Sequence, residues 1–182
     1  HEKKVIETYE LWNILGSDSI DKGIIFLENA YRMLKVGGRM GIVLSNSISS
    51  IKKYEKVREW LMKKMRIVAV FDLPPNVFAE TGVNTSIIVA YKPEKNRLEK
   101  IIESNYSIFA KDIKYVGYEK RTSKRNVVFN PTYKIDYTSF EIEKDADGNM
   151  VLDEEFSDII EEFRVWCLGQ EEEINHLFLK ED

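Results

Sequence analysis

Residues 73–86 read Leu-Pro-Pro-Asn-Val-Phe-Ala-Glu-Thr-Gly-Val-Asn-Thr-Ser: two prolines stiffen the segment, and one ring, Phe78, stands among polar neighbours. A ring on a loop can offer its face to a planar ligand. The opposing reading, equally weighted from these residues alone, tucks Phe78 under the loop as a local anchor. The other chemistry-bearing patterns resolve into structure. Gly37, Gly38 and Gly41 close a helical pattern and open a strand, whereas a dinucleotide loop follows a strand and opens a helix, so they read as a helix-terminating turn. No Gly-Lys-Ser/Thr phosphate loop occurs. Asp145, Asp147 and Asn149 imitate the start of a calcium loop, but Met150 stands where Gly is required and Phe156 where a bidentate Glu belongs. With His1 and His176 at opposite ends and one cysteine, no zinc cluster can be written, and no metal is expected. Cys167 lies in an apolar helical stripe and reads as a small buried residue rather than a nucleophile.

The elements that would position the Phe78 loop follow from hydrophobic periodicity. Asp21 to Lys35 carries Ile24, Leu27, Tyr31 and Leu34 on one helical face, with Asp18 and Ser19 as candidate N-caps. Arg39 to Leu44 reads as a buried strand, Ser45 to Ser50 as a polar loop, and Tyr54 to Lys64 as a second amphipathic helix through Tyr54, Val57 and Leu61. Ile67 to Phe71 and Ser86 to Tyr91 are further strands, separated by the 72–85 loop. This rhythm is that of an α/β layer on a mostly parallel sheet. Three clear strands are fewer than such a sheet usually has, so the layer is expected to be part of a larger one with an edge needing a partner. At its carboxyl edge the Phe78 loop occupies the position where open α/β sheets hold ligands. Beyond Pro93 the apolar patches shorten. A small hairpin is expected around Asp147-Gly148, then a helix over 158–168 with the stripe Ile159, Ile160, Phe163 and Cys167, and further helical turns over 173–180.

A chain of 182 residues with 43% hydrophobic and 32% charged residues can bury one domain core and is neither low-complexity nor wholly disordered. No apolar run approaches a membrane span, the N-terminus does not resemble a signal peptide, and a single cysteine fits a reducing compartment, so a soluble cytoplasmic protein is expected. The net charge of −4 hides an asymmetry: residues 1–98 hold 16 Lys+Arg against 11 Asp+Glu, and residues 99–182 hold 11 against 20. A basic first half can meet a polyanion although the whole chain is acidic, and a merely solvated lysine-rich surface is the simpler alternative.

Phe26 to Leu44 (Phe-Leu-Glu-Asn-Ala-Tyr-Arg-Met-Leu-Lys-Val-Gly-Gly-Arg-Met-Gly-Ile-Val-Leu) resembles the helix and strand that follow the catalytic motif in adenine-specific DNA methyltransferases, and Tyr54 to Trp60 and the Leu73 to Ser86 loop continue the likeness in the same order. Ile113 to Arg121 and Asp145 to Arg164 are similar to the modification subunits of type I restriction systems. The resemblance covers about residues 24–164.

It implies an α/β fold, a partial class I (Rossmann-like) methyltransferase sheet with a C-terminal mixed α+β extension: residues 1–20 as lead-in, 21–97 as the C-terminal half of the methyltransferase domain, and 98–182 as a small α+β extension ending in helix. It further implies S-adenosylmethionine as donor and the exocyclic amino group of adenine in DNA as acceptor. Partners would be DNA and the specificity and restriction subunits of a type I complex, with no membrane, and a homodimer of this chain could cover the open edge. By the same resemblance Phe78 matches the ring that stacks on a flipped-out adenine, worth about 1–3 kcal/mol. Thr81, Asn84 and Thr85 would line that pocket or contact phosphate, or else cap the turn and the next strand. Apart from the resemblance, the basic first half suggests that Lys52 and Lys53, with Lys56, Arg58, Lys63 and Lys64 flanking the second helix, would meet backbone phosphates or a subunit.

The sequence departs from the family in two places. The family's Gly-rich cofactor loop and its catalytic Asn-Pro-Pro-Phe/Tyr, both upstream of the segment matching Phe26 to Leu44, are absent from the roughly two dozen residues there. Asn130-Pro131-Thr132-Tyr133 has Thr for the second Pro and lies downstream of the strands, and Asp72-Leu73-Pro74-Pro75 inserts a Leu. No catalytic and no cofactor-binding residue is therefore assigned, and the chain reads as the second half of a catalytic domain, inactive alone. The alternative is a non-catalytic interaction module that binds a partner methyltransferase or a specificity subunit. A small-molecule methyltransferase is disfavoured by the loop and the tail.

Overall fold

The computed structural model describes residues 2–16, 20–123 and 126–179. Two compact units divide the chain: residues 1–72 with 85–111, and residues 73–84 with 112–181. The candidate caps Asp18 and Ser19, together with His1 and Lys180, lie outside the described residues.

In the first unit the order is α1 (Glu2–Ile6), α2 (Glu10–Leu15), α3 (Lys22–Met33), β1 (Arg39–Ser45), α4 (Asn46–Ser50), a 3-10 turn (Lys52–Tyr54), α5 (Glu55–Lys64), β2 (Arg66–Leu73), β3 (Thr85–Tyr91), α6 (Lys95–Glu103) and β4 (Phe109–Asp112). α3 starts at Asp21, whose carboxylate accepts from the Gly23 amide, and ends where Leu34 leaves helical geometry before the Gly37 turn at φ 79°. The 45–50 segment is not the expected loop. Ser45 caps the Ser47 amide, and Ser49 and Ser50 hydroxyls donate back to the Asn46 carbonyl, so short polar side chains close a turn of helix instead.

The four strands lie in the order β1-β3-β2-β4. The sheet is mixed rather than mostly parallel: β3 runs antiparallel to β1 with Arg39 opposite Tyr91 and Ser45 opposite Thr85. A parallel return needs a crossover, usually helical, and the segment between β2 and β3 contains no helix. The fourth strand, β4, exceeds the three legible from sequence because it is only four residues long. The core joins Leu11, Ile24 and Leu27 to Met40, Ile42 and Leu44 of β1, Val57, Trp60 and Leu61 of α5, and Ile67, Ile88 and Ala90. β1 buries alternate residues, as a strand at a sheet margin with one covered face does.

Two carboxylates secure the N-terminal helices. Glu28, fully buried in α3, accepts from the Glu10 and Leu11 amides at 2.9 and 2.8 Å and from Arg32 at 2.6 Å, satisfying amides that a helix start leaves open. Glu10 accepts from the Trp60 indole at 2.9 Å and from Lys64, which ties α2 to α5.

In the second unit β5 (Tyr118–Ser123) and β6 (Asn126–Pro131) pair antiparallel, with Lys120 opposite Phe129. A looser ladder continues over 132–154, and Gly117, at φ 81°, joins it, its amide donating to the Asp153 carbonyl and its carbonyl accepting from the Thr132 amide. The expected hairpin around Asp147-Gly148 is present: Asp145 and Asn149 close it, with Gly148 at φ 84°. α7 (Phe156–Leu168) and α8 (Glu172–Phe178) pack through Phe163 against Phe178, burying Ile159, Cys167 and Ile174. Ile160 is exposed, because it lies about 100° round the helix from Ile159 and off the face that carries the buried Ile159 and Cys167. Among the described residues no helix is long and apolar enough to cross a membrane.

Leu27→Ala is expected to cost about 2–5 kcal/mol in urea unfolding, while Met33→Ala, on the exposed face of the same helix, stays within about 0.5 kcal/mol. The Trp60 indole first, then Lys64, holds the Glu10 carboxyl below its usual 4.5. Its contribution is therefore complete above that value and is lost as pH falls through the lowered folded value. Between pH 5 and pH 3 the melting temperature of Glu10→Gln should fall less than that of the parent chain. Burial pushes the Cys167 thiol up to about 11, so a thiol reagent at neutral pH should label it only after denaturant is added, and rapid native labelling would contradict its burial.

Candidate functional site

The chain leaves the sheet at the end of β2 and re-enters it at Thr85, and the residues flanking that excursion, Asp72 and Ser86, are fastened to each other within the first unit. Ser86, fully buried, donates its hydroxyl to Asp72 Oδ1 at 2.5 Å. Asn46 Nδ2 donates to Ser86 Oγ at 3.2 Å, and Ser49 Oγ lies 3.1 Å from it. These groups meet because the β1–β3 register places Leu44 opposite Ser86, with Asn46 and Ser49 following in α4. Thr85 Oγ1 is buried with no hydrogen-bond partner among the described residues. A cavity of about 300 Å³ opens beside this cluster, bordered by Ile48, Ser49, Arg58, Met62, Asp72 and Ile88, and Arg58 donates to the Ile48 and Ile51 carbonyls at its rim.

The loop itself belongs to the second unit. Phe78 is 40% exposed and is not an internal anchor. It borders an open, largely apolar cavity of about 610 Å³ with Tyr118, Phe129, Pro131 and Leu152. Tyr118 and Phe129 meet edge to face at 5.1 Å. Tyr118 Oη donates to the Val77 carbonyl at 2.8 Å, and Lys120 Nζ donates to the carbonyls of Phe78 at 2.9 Å and Thr81 at 3.2 Å. Such walls suit a flat ring held by its faces rather than by hydrogen bonds to its edge.

Of the residues singled out from sequence, Phe78 and Thr81 share this loop and the Lys120 ammonium. Thr81 Oγ1 accepts from the Val83 amide, a turn-capping role, and Asn84 is exposed. Thr85 stands at the buried start of β3. Lys52 and Lys53 are exposed in the 3-10 turn, with the Lys53 ammonium 5.3 Å from the Tyr54 ring centre. Two carboxylates of the second unit, Asp145 of the imitated calcium loop and Asp136, are committed to their own loops. Asp145 accepts from the Asp147 and Asn149 amides, and these bonds, that of Asn149 foremost, hold its carboxyl below the usual range. Asp136 is held low in the same way, chiefly by the Thr138 amide. Among the described residues no His/Cys/Asp/Glu group could hold a metal ion. Asn130 and Pro131 are β6 residues paired opposite Glu119 and Tyr118. Sequence reasoning missed Tyr118, Lys120 and the Asp72–Ser86 clamp. The period-2 spacing of Tyr118 and Lys120 was visible, but their carbonyl partners lie about 40 residues away in the chain.

The sequence profile of the N-6 DNA methylase family matches residues 2–162. No curated protein matches the chain significantly. Among solved structures, the type I restriction enzyme EcoKI M protein is 26% identical over 40% of this chain and 15% of its own, with a TM-score of 0.37. A Listeria monocytogenes protein assigned as a class I S-adenosylmethionine-dependent methyltransferase is 18% identical over 59% of this chain and 31% of its own, with a TM-score of 0.42. A Vibrio vulnificus YJ016 protein assigned as a type I restriction enzyme modification subunit is 17% identical over 72% of this chain and 30% of its own, with a TM-score of 0.35. The matched region spans less than a third of each of those three chains. On the profile match, which runs from α1 into α7, the chain belongs to the N-6 DNA methylase family.

Proposed function

We propose that this chain supplies the target-base side of an adenine-specific DNA methyltransferase, the modification subunit of a type I restriction-modification system, acting on the exocyclic amino group of adenine. The observation that carries the reading is Phe78: in a member of the N-6 DNA methylase family, a half-exposed ring on a braced loop borders an open apolar cavity. An adenine swung out of the duplex loses its stacking neighbours, and the Phe78 face restores one of them. Thr81 and Asn84 lie along the same loop, and Lys52 and Lys53 are assigned to backbone phosphates.

S-adenosylmethionine is the donor such a reaction uses. The one glycine pair is consumed in the turn before β1, where the Gly37 amide donates to the Lys92 carbonyl at 2.7 Å and the Gly38 amide to the Lys35 carbonyl at 2.9 Å. No residue of this chain is assigned to the donor or to the proton that leaves the amine. The protein works in the cytoplasm, with DNA and the specificity and restriction subunits as partners.

Among the described residues no strand pairs with the outer edge of β1, which favours a second role beside this one, as a module to which another methyltransferase strand, from a partner or a second copy of the chain, adds.

Incubated with labelled S-adenosylmethionine and unmethylated DNA, the 182-residue chain should incorporate no methyl group; sustained incorporation would overturn the assignment of catalysis outside these residues. With a duplex carrying one looped-out adenine, Phe78→Ala should lose about 1–3 kcal/mol of affinity, and an unchanged affinity would remove the base-stacking role. Lys52→Glu with Lys53→Glu should reduce the salt dependence of that binding by about two phosphate contacts, a slope change of about 2, and an identical slope would take both lysines off the DNA.

A further inference from the structure

We infer that Tyr118 and Lys120 are positioning residues: the β5–β6 hairpin braces the Leu73–Asn84 loop and thereby holds the Phe78 ring ready for a planar ligand. The functional part of this inference rests on the base-stacking reading above; the brace itself rests on geometry alone. Beyond Leu73, where β2 ends, the loop contains neither helix nor strand, so its order has to come from bonds made to something more regular. β5 supplies that. Tyr118 and Lys120 are two residues apart on a strand and face one way, while Glu119, between them, is engaged with Arg121 at 2.9 Å. Across the hairpin Phe129 stands opposite Lys120, and its ring meets Tyr118 edge on, which fixes the phenol.

The three bonds from this face fall on consecutive parts of the loop: Tyr118 on the Val77 carbonyl, Lys120 on the Phe78 and Thr81 carbonyls. One ammonium shared between Phe78 and Thr81 clamps the turn that bears the ring. Asn76, at φ 65°, begins that turn, and the Thr81 hydroxyl closes it on the Val83 amide. Because every bond from the hairpin goes to backbone oxygen, none of them depends on the Phe78 side chain. The brace and the ring can therefore be removed separately.

The test uses the 182-residue chain. Backbone order parameters of residues 77–83 are measured by NMR in the parent, Tyr118→Phe, Lys120→Met and Lys120→Arg, together with affinity for a duplex bearing one looped-out adenine. In the parent these amides should have order parameters near about 0.85, falling below about 0.6 in Lys120→Met and partway in Tyr118→Phe, with β1 and β3 unchanged. Lys120→Arg keeps donors within reach and should restore the order. Affinity should fall roughly threefold to tenfold in both loosened variants, including Tyr118→Phe, which changes no charge. Loop order unchanged in Tyr118→Phe and Lys120→Met overturns the brace, and so does a loss of order spread equally through the second unit. Phe78→Ala should lower affinity at full loop order; if it does not, the base-stacking reading fails while the brace stands on its own readout.

Discussion

The antiparallel register of β1 with β3, Leu44 opposite Ser86 and Ser45 opposite Thr85, is the constraint on which the candidate site depends. It brings the start of β3 against the end of β1, so that Ser86 accepts from Asn46, stands beside Ser49, and donates to Asp72 at the end of β2. A hydroxyl buried with both its donor and acceptor capacity used is costly to displace, since each group freed would lose its partner in a place water does not reach. The two points where the chain leaves and rejoins the first unit are thereby held together, and the 73–84 segment becomes a closed loop rather than a free linker. Closing both ends lowers the entropy that ordering the loop must overcome, and the remainder is met by Tyr118 and Lys120.

Local and tertiary interactions divide the work in the first unit. α3 and α5 are amphipathic by their own sequence and would orient themselves against any apolar sheet. α2 has six residues and could not persist alone. Its first amides are satisfied by Glu28 and its outer side is tied through Glu10 to Trp60, so it exists because α3 and α5 do. The Tyr31 and Trp60 rings meet edge on at 5.3 Å, joining the same two helices.

Long periodic elements could be read from the sequence because their signal is local. Ile24 and Leu27 mark a face whichever partner covers it, and the runs 67–71 and 86–91 are apolar enough to announce buried strands. What escaped depends on partners distant in the chain. The direction of β3 is set by the lack of a helix before it, β4 is too short to show a period, and the α4 turn follows from serine hydroxyls that bond equally well in loops. Exposure of Phe78 could not be chosen from sequence because a ring flanked by polar residues fits either outcome. Tyr118 and Lys120 lay in a segment whose family resemblance was legible, and their role was not, because nothing in a strand of alternating residues says that a loop 40 residues earlier supplies its acceptors.

The central claim, that the 73–84 loop carries the face on which an extruded base lies, is tested most directly by where such a base touches the protein. A duplex with a photoreactive purine at a looped-out position, irradiated with the chain and digested for mass spectrometry, should place its adduct on Phe78 or its immediate neighbours in the 74–84 peptide. Adducts confined to other peptides, with the 74–84 peptide recovered unmodified, would contradict the account.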